Sequence, residues 1–318
     1  MTICTNQIEW LLTGEPFVRY RTMIDLLDKK ETDREVIAAK RLAHTHNLIK
    51  TIFRKQSRDG HWGSPKDIYT WWPKKDSTFW MLGVLADFGF ARQQKKIALG
   101  CGYVFSKQFA CGAFGWAPPP TPGDCFTGIL TESLTKLGYV DDPRVKKAYT
   151  WLVGRQRYDG GFWCKDTGQP GGPREKEPSC AFATLCVLGA LVQNPRFKRA
   201  SSTEKAVRFL LQCWDNRSKI KYAGHDSQIG KDWEKLKYPF TDYKILKYLD
   251  VISQFAYIRK DPRVKAMVDT LCAKQNENGR FYAESIHKAW AGFDFAQKEE
   301  PSRFITLIAC RILKRCIG

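Results

Sequence analysis

The chain of 318 residues carries 52 Lys and Arg against 33 Asp and Glu, a formal net charge of +19, with 43% apolar and 13% aromatic residues. That composition excludes wholesale disorder and a collagenous or low-complexity chain. Its basic residues are spread in short runs such as Lys95-Lys96 and Lys146-Lys147, which disfavours nucleic acid as a partner and reads as a solvated surface.

A basic balance still attracts anions, so a phosphate-bearing ligand or peripheral contact with an anionic membrane stays open. The N-terminal stretch has no basic region followed by an apolar one, unlike a secretory signal. The longest uncharged apolar run, near Cys180 to Val192, falls short of the about 20 residues a bilayer needs. Eleven cysteines are scattered without CxxC pairs and read as buried reduced thiols. The expected location is the cytoplasm, and the oligomeric state is left open.

Taken in chain order, the predicted elements repeat. The segment Gln7 to Thr13 is helical, with Trp10-Leu11 as an aromatic-apolar pair. Apolar helices then begin near Pro16, Ser77, Cys125, Ser179, Thr241 and Ser302. Their stretches Thr78 to Phe88, Phe126 to Leu137 and Cys180 to Leu191 are apolar on most sides, as expected of helices buried on most sides. Amphipathic helices follow five of the six. Three begin at Asp142-Pro143, Asn194-Pro195 and Asp261-Pro262, where Asp or Asn caps and Pro takes the first helical position.

Four of the amphipathic helices end in one turn pattern: Gln56…Gly60-x-Trp62, Gln108…Gly112-x-Phe114, Gln156…Gly160-x-Phe162 and Gln275…Gly279-x-Phe281. In each, Gly follows Gln by four residues and the ring by six. A fifth copy keeps its helix, Lys205 to Leu210, and replaces the turn chemistry with Trp214, Ser218 and Ile220. The last apolar helix, from Ser302, lacks an outer partner, and the segment Gln7 to Thr13 can supply it. A chain that begins on an outer helix and ends on an inner one closes a ring. The expected architecture is all-α: one domain over residues 1–318, a closed (α/α)6 toroid of six helix-pair repeats.

The spaced residues Lys147-Ala148, Trp151-Leu152, Gln156, Gly160 and Phe162 resemble the QW repeat of squalene and oxidosqualene cyclases. Leu99-Gly100, Tyr103-Val104, Gln108, Gly112 and Phe114 form the next best copy. The resemblance is to the α-α toroid superfamily of terpenoid cyclases and protein prenyltransferase β-subunits. It implies a central cavity at the N-terminal ends of the inner helices, where family members hold isoprenoid chains among aromatic walls.

The family's chemistries are only partly matched. No Asp-x-Asp-Asp motif is present; the nearest string, Val140-Asp141-Asp142, is a helix cap. Asp124 and Cys125 are adjacent rather than separated by one residue, as the zinc-binding prenyltransferases have them. No metal and no other cofactor is therefore expected.

The first turns of the inner helices supply the candidate site. Asp76, Asp124 and Asp242 are placed to act as general acid or base, or simply as helix caps. Arg19, Lys244 and Arg303 would gather cations at helix N-termini for an anionic headgroup, or else form ion pairs. Trp72, Trp80, Phe126 and Tyr243 would line an apolar cavity or belong to the core. The expected function is a terpenoid cyclase- or prenyltransferase-like toroid that binds or transforms an apolar, isoprenoid-like small molecule with an anionic headgroup. The alternative is a non-catalytic ligand- or protein-binding toroid.

Overall fold

The computed structural model describes residues 4–65, 76–116, 121–167, 173–174, 176–224, 228–240 and 244–317. Fourteen α-helices are formed by these residues. They are α1 (Thr5–Leu12), α2 (Pro16–Asp25), α3 (Arg34–Thr45), α4 (Asn47–Arg54), α5 (Thr78–Asp87), α6 (Lys95–Phe105) and α7 (Asp124–Leu134). Then follow α8 (Pro143–Val153), α9 (Ala181–Leu191), α10 (Pro195–Lys198), α11 (Ser201–Asn216), α12 (Ile245–Ile252), α13 (Pro262–Cys272) and α14 (Arg303–Ile317). Among the described residues the fold is helical apart from a minimal antiparallel ladder, β1 (Gly115–Trp116) with β2 (Thr121–Pro122), and an isolated bridge between Phe162 and Cys180.

The chain forms two compact units. Residues Ser57–Trp233 make one, and Met1–Gln56 with Glu234–Gly318 make the other. In the contiguous unit the inner helices pack in the order α5, α7, α9. Every residue of α9 is buried, as its uninterrupted apolar sequence requires. Gly128 of α7 makes the α7–α9 contact close: a Cβ there would stand 2.7 Å from the carbonyl carbon and oxygen of Cys186. In the discontinuous unit α14 packs against both α12 and α2.

The outer helices follow from a different pattern. In α8 the buried residues are Val145, Ala148, Tyr149 and Leu152; in α13 they are Val264, Met267, Val268 and Leu271. Both sets fall at i, i+3, i+4 and i+7, one stripe of a helix. Both helices are capped as expected: Asp142 accepts from the Arg144 amide at 2.9 Å, and Asp261 from the Arg263 amide at 2.9 Å. The third such start differs. Asn194 caps the Arg196 amide at 3.1 Å, but the helix it opens, α10, is one turn long. The outer helix proper, α11, begins afresh at Ser201. Thr203 secures the break by donating to the Phe197 carbonyl at 2.7 Å.

The repeated turn has one geometry at four places. The residue after each Gln donates its amide to the carbonyl of the residue after the Gly: Ser57 to His61, Phe109 to Ala113, Arg157 to Gly161 and Asn276 to Arg280, at 2.8–3.0 Å. The ring residue is buried in all four, and its amide donates to a buried threonine of the following inner helix. These pairs are Trp62 with Thr78 (2.8 Å), Phe114 with Thr127 (2.9 Å), Phe162 with Thr184 (3.0 Å) and Phe281 with Thr306 (3.0 Å).

The Gln completes the joint in the two central copies. Gln108 Nε2 donates to the Gly112 carbonyl (2.7 Å) and to the Arg144 carbonyl of α8 (2.9 Å). Gln156 Nε2 donates to the Gly160 carbonyl (2.9 Å) and to the Ser202 carbonyl of α11 (2.6 Å). One amide group thus ties a turn to the next outer helix. Gly112 and Gly160 adopt φ of +100° and +85°, and a Cβ on either would press on the backbone of Lys147 or Lys205. Only glycine satisfies both conditions.

The fifth copy shows what the turn does. Without Gln and Gly, α11 runs on to Asn216 instead of stopping two or three residues before the Gln slot. Trp214 is buried there, edge-on to Trp233 at 6.0 Å.

The fourth turn has α1 as its next outer helix. The position facing Gly279 is occupied by Gln7, whose Nε2 donates to the Gly279 carbonyl. Arg303, the first residue of α14, closes the same joint: Nε donates to the Trp10 carbonyl at 3.2 Å, and the guanidinium lies over the Trp10 ring at 4.7 Å.

Charge holds the far ends of α2, α12 and α14 together. Arg311 donates to Asp25 at 2.9 Å and to Asp250 at 2.9 and 2.8 Å. Arg21 adds a second cation to Asp25 (2.7 Å), and Arg315 adds one to Asp250 (3.0 Å).

Candidate functional site

The first turns of the inner helices are where the repeated turns deliver the chain, and each unit has its own cluster there. In the contiguous unit α7 begins at Asp124, a fully buried carboxylate. Arg155, the residue before Gln156, reaches it with Nε at 3.3 Å and a terminal nitrogen at 3.1 Å. The other terminal nitrogen pairs with Asp166 at 2.8 Å, and the guanidinium rests 4.6 Å over Trp151. Burial pushes Asp124 up to about 6, while Arg155 opposes and Asp166 reinforces the rise. Arg155 and the helix N-terminus favour the ionised carboxylate, against the burial that disfavours it.

Cys125 follows it. Its Sγ is 3.1 Å from Cys164 Sγ, and its amide donates to the same sulfur at 3.3 Å. Cys180 is the N-cap of α9, its Sγ accepting from the Ala183 amide at 3.4 Å. Burial pushes the Cys125 thiol well up and the Cys180 thiol up to about 12, so both are neutral small apolar groups. No group of three or more His, Cys, Asp and Glu side chains among the described residues is arranged to hold a metal ion.

Trp80 and Phe126 are buried in the first turns of α5 and α7, joined through Phe79, whose ring lies 4.9 Å from Trp80 and 4.7 Å from Phe126. Asp76 is exposed, with its carbonyl packed on Gly63. Trp72, Asp242 and Tyr243 lie outside the described residues.

The cations belong to the discontinuous unit. Arg19 is in the first turn of α2, Lys244 is the N-cap of α12, and Arg303 opens α14, so the three mark one end of three neighbouring helices. Their environments differ. Arg19 is exposed, Lys244 is buried, and Arg303 is engaged by the end of α1. His287, also buried, is pushed down to about 4 by burial and by Lys237 and Lys244, and is neutral.

Two carboxyls in this unit carry no signal beyond helix capping in the sequence. Asp294 accepts from Ser302 Oγ and the Phe304 amide, both at 3.0 Å, and so organises the start of α14. Burial and then the charge of Glu15 push Asp294 up to about 6. Glu15, at the N-cap of α2, has one buried carboxylate oxygen, Oε2, with no hydrogen-bond partner. The rings beside Asp294 in sequence join a cluster in which Tyr238 stands 4.7 Å from Phe295 and 4.8 Å from Phe304. Eight residues separate Asp294 from the helix it caps, so the usual spacing of a capping residue does not mark it. Arg155 had a local signal, its place beside the repeated Gln.

No protein-family model matches the chain, and no curated protein matches it. Among solved structures it is similar to a protein from Actinoplanes, with 13% identity and a TM-score of 0.48 over 96% of this chain and 90% of that one. It is also similar to the ligand-free type II terpene cyclase MstE from Scytonema, with 14% identity and a TM-score of 0.48 over 94% and 86% of the two chains. A variant of that cyclase in complex with geranylgeranyl dihydroxybenzoate, its substrate, gives 12% identity and a TM-score of 0.48 over 95% and 86%. No helix among the described residues is long and apolar enough to cross a membrane.

Proposed function

We propose that this chain is a terpenoid cyclase-like toroid protein, one domain over residues 1–318, that holds an apolar, isoprenoid-like ligand with an anionic headgroup in a central cavity. The observation that carries the reading is the turn of Gln, Gly and buried ring, repeated in one geometry after four outer helices, with α1 serving as the outer helix for the last. The recurrence of one backbone bond and one ring-to-threonine bond at all four turns supports a chain built of repeated helix pairs. Arg19, Lys244 and Arg303 at the first turns of neighbouring helices support a headgroup site. Trp80 and Phe126, with Trp72 and Tyr243, would face the apolar chain.

A second reading, a binding protein without cyclase chemistry, is favoured by one observation. Asp124 is buried and held by Arg155, which also pairs with Asp166, an arrangement that fixes the carboxylate rather than presenting it as an acid. Titrating the protein with a long-chain allylic diphosphate while following tryptophan fluorescence, with product analysis by mass spectrometry, tests both readings. Saturable quenching that weakens in R303A and K244A supports the headgroup site. Turnover abolished by Asn at Asp76, Asp124 or Asp242 supports catalysis. Binding without turnover supports the second reading, and absence of binding to any prenyl diphosphate or prenyl acid removes both.

A further inference from the structure

We propose that Cys125 and Cys164 are a dithiol–disulfide couple whose oxidation locks the first turn of α7 to the segment that follows the third Gly-ring turn. The two Sγ atoms already face each other at 3.1 Å, against about 2.05 Å in the bonded state, so closure asks for a movement of about 1 Å. Side-chain freedom is not what brings them together. Cys125 is fixed by α7, whose entry is pinned by the Gly123 amide on the Phe114 carbonyl at 3.0 Å. Cys164 follows Phe162 by two residues, and Phe162 is pinned twice: its amide to Thr184 and its carbonyl to the Cys180 amide, each at 3.0 Å. Cys180 is the nearby competitor, but its sulfur is engaged as the cap of α9.

The step balances with a small hydroperoxide as oxidant. The two thiols lose two electrons and two protons and gain one S–S bond. Hydrogen peroxide breaks its O–O bond, takes up the electrons and protons, and leaves as two waters. Attack requires a thiolate, and burial holds the Cys125 thiol neutral, so the reaction is slow at neutral pH and quickens as pH rises. The bond would bear on the candidate site. Cys164 leads directly into the turn Lys165–Thr167, where Asp166 meets the guanidinium that holds Asp124. The triad is already formed with both thiols free, and oxidation would tether the segment that carries Asp166 to α7, fixing it further. The inference does not depend on the toroid reading.

The test treats the folded full-length chain with hydrogen peroxide at neutral and mildly alkaline pH, then denatures it, labels remaining thiols with iodoacetamide and maps the peptides without reduction. The expected result is joint loss of label at Cys125 and Cys164 and one crosslinked species lighter by two hydrogens. Dithiothreitol restores both labels, and the thermal midpoint is higher in the oxidised form, since the bond closes a loop between residues 39 apart. Cys164→Ser should preserve label at Cys125, and Cys180→Ser should leave the crosslink intact. Independent labelling of both cysteines after oxidation, a crosslink of Cys125 to Cys180, or further oxidation to sulfinic acid would overturn the proposal. If Cys164→Ser does not fold, the wild-type and Cys180→Ser maps decide alone.

Discussion

Replacing Arg311 with Met tests whether charge or apolar packing joins α2, α12 and α14. The Arg311 side chain is 13% exposed, and its guanidinium makes three charge-assisted bonds, one to Asp25 and two to Asp250, each 2.8–2.9 Å long. Breaking a buried ion pair by removing one partner costs about 3–5 kcal/mol, because the remaining charge is stranded. Here each carboxylate keeps a second cation, Arg21 at 2.7 Å and Arg315 at 3.0 Å, which places the loss near the lower limit, about 3 kcal/mol. With a urea m-value of about 2 kcal/mol/M, the midpoint falls by about 1.5 M.

The pH dependence follows from Asp25. Burial works against its ionisation, but Arg21 and Arg311 outweigh burial and hold it below the usual carboxylate range. A depressed carboxylate contributes stability that is present above its unfolded pKa of about 3.9 and is lost as pH falls through the folded value. In the Met variant that loss should begin at a higher pH. Urea unfolding from pH 3 to 7 reads both effects. A variant within about 0.5 kcal/mol of the parent, with an unchanged acid limb, would show that packing alone joins these helices.

Three further outcomes are expected. Gln156→Ala removes the bonds to the Gly160 and Ser202 carbonyls and should cost about 2 kcal/mol by urea unfolding, whereas the same change at the exposed Gln93 should cost little. Gly128→Ala forces the α7 and α9 backbones apart, because its Cβ meets the Cys186 carbonyl group at 2.7 Å; a loss of about 1–3 kcal/mol and a changed near-ultraviolet circular dichroism spectrum should follow. Asp294→Asn keeps an acceptor for Ser302 and Phe304 but removes a charge whose folded pKa of about 6 lies above its unfolded value. The parent's contribution from this group is full below about pH 4 and is lost as pH rises through 6. The variant should therefore match the parent at pH 4 and exceed it at pH 7 by about 1–2 kcal/mol, and lower stability at pH 7 would contradict the assignment.

The repeats were legible because Gln, Gly and the ring stand at fixed intervals inside one turn, where local geometry sets the spacing. Their threonine partners were not, since the sequence distance from ring to threonine varies from 13 to 25 residues with the length of the loop between. The same limit applies at the candidate site. Asp124 and Arg303 could be placed on their helices from capping patterns. That Arg155 holds the first, and the end of α1 the second, depends on contacts 31 and 293 residues away in the chain. Asn194-Pro195 misled for a local reason: a good cap and a proline start a helix, but nothing in them decides how long it continues, and α10 lasts one turn.

The clasp of α1 on the Gly279 turn bears on the order in which the molecule can assemble. The unit Ser57–Trp233 is continuous and can complete itself while later residues are still being synthesised. The other unit cannot, for Gln7 waits for Gly279, Trp10 for Arg303 and Asp25 for Arg311. Those pairings close loops of 272 to 293 residues, and their contact order makes them the slow step. Until it is taken, α2 is covered by α1 and α3 alone, and the side it will turn to α14 stays open, which is the surface a nascent chain would offer to a chaperone.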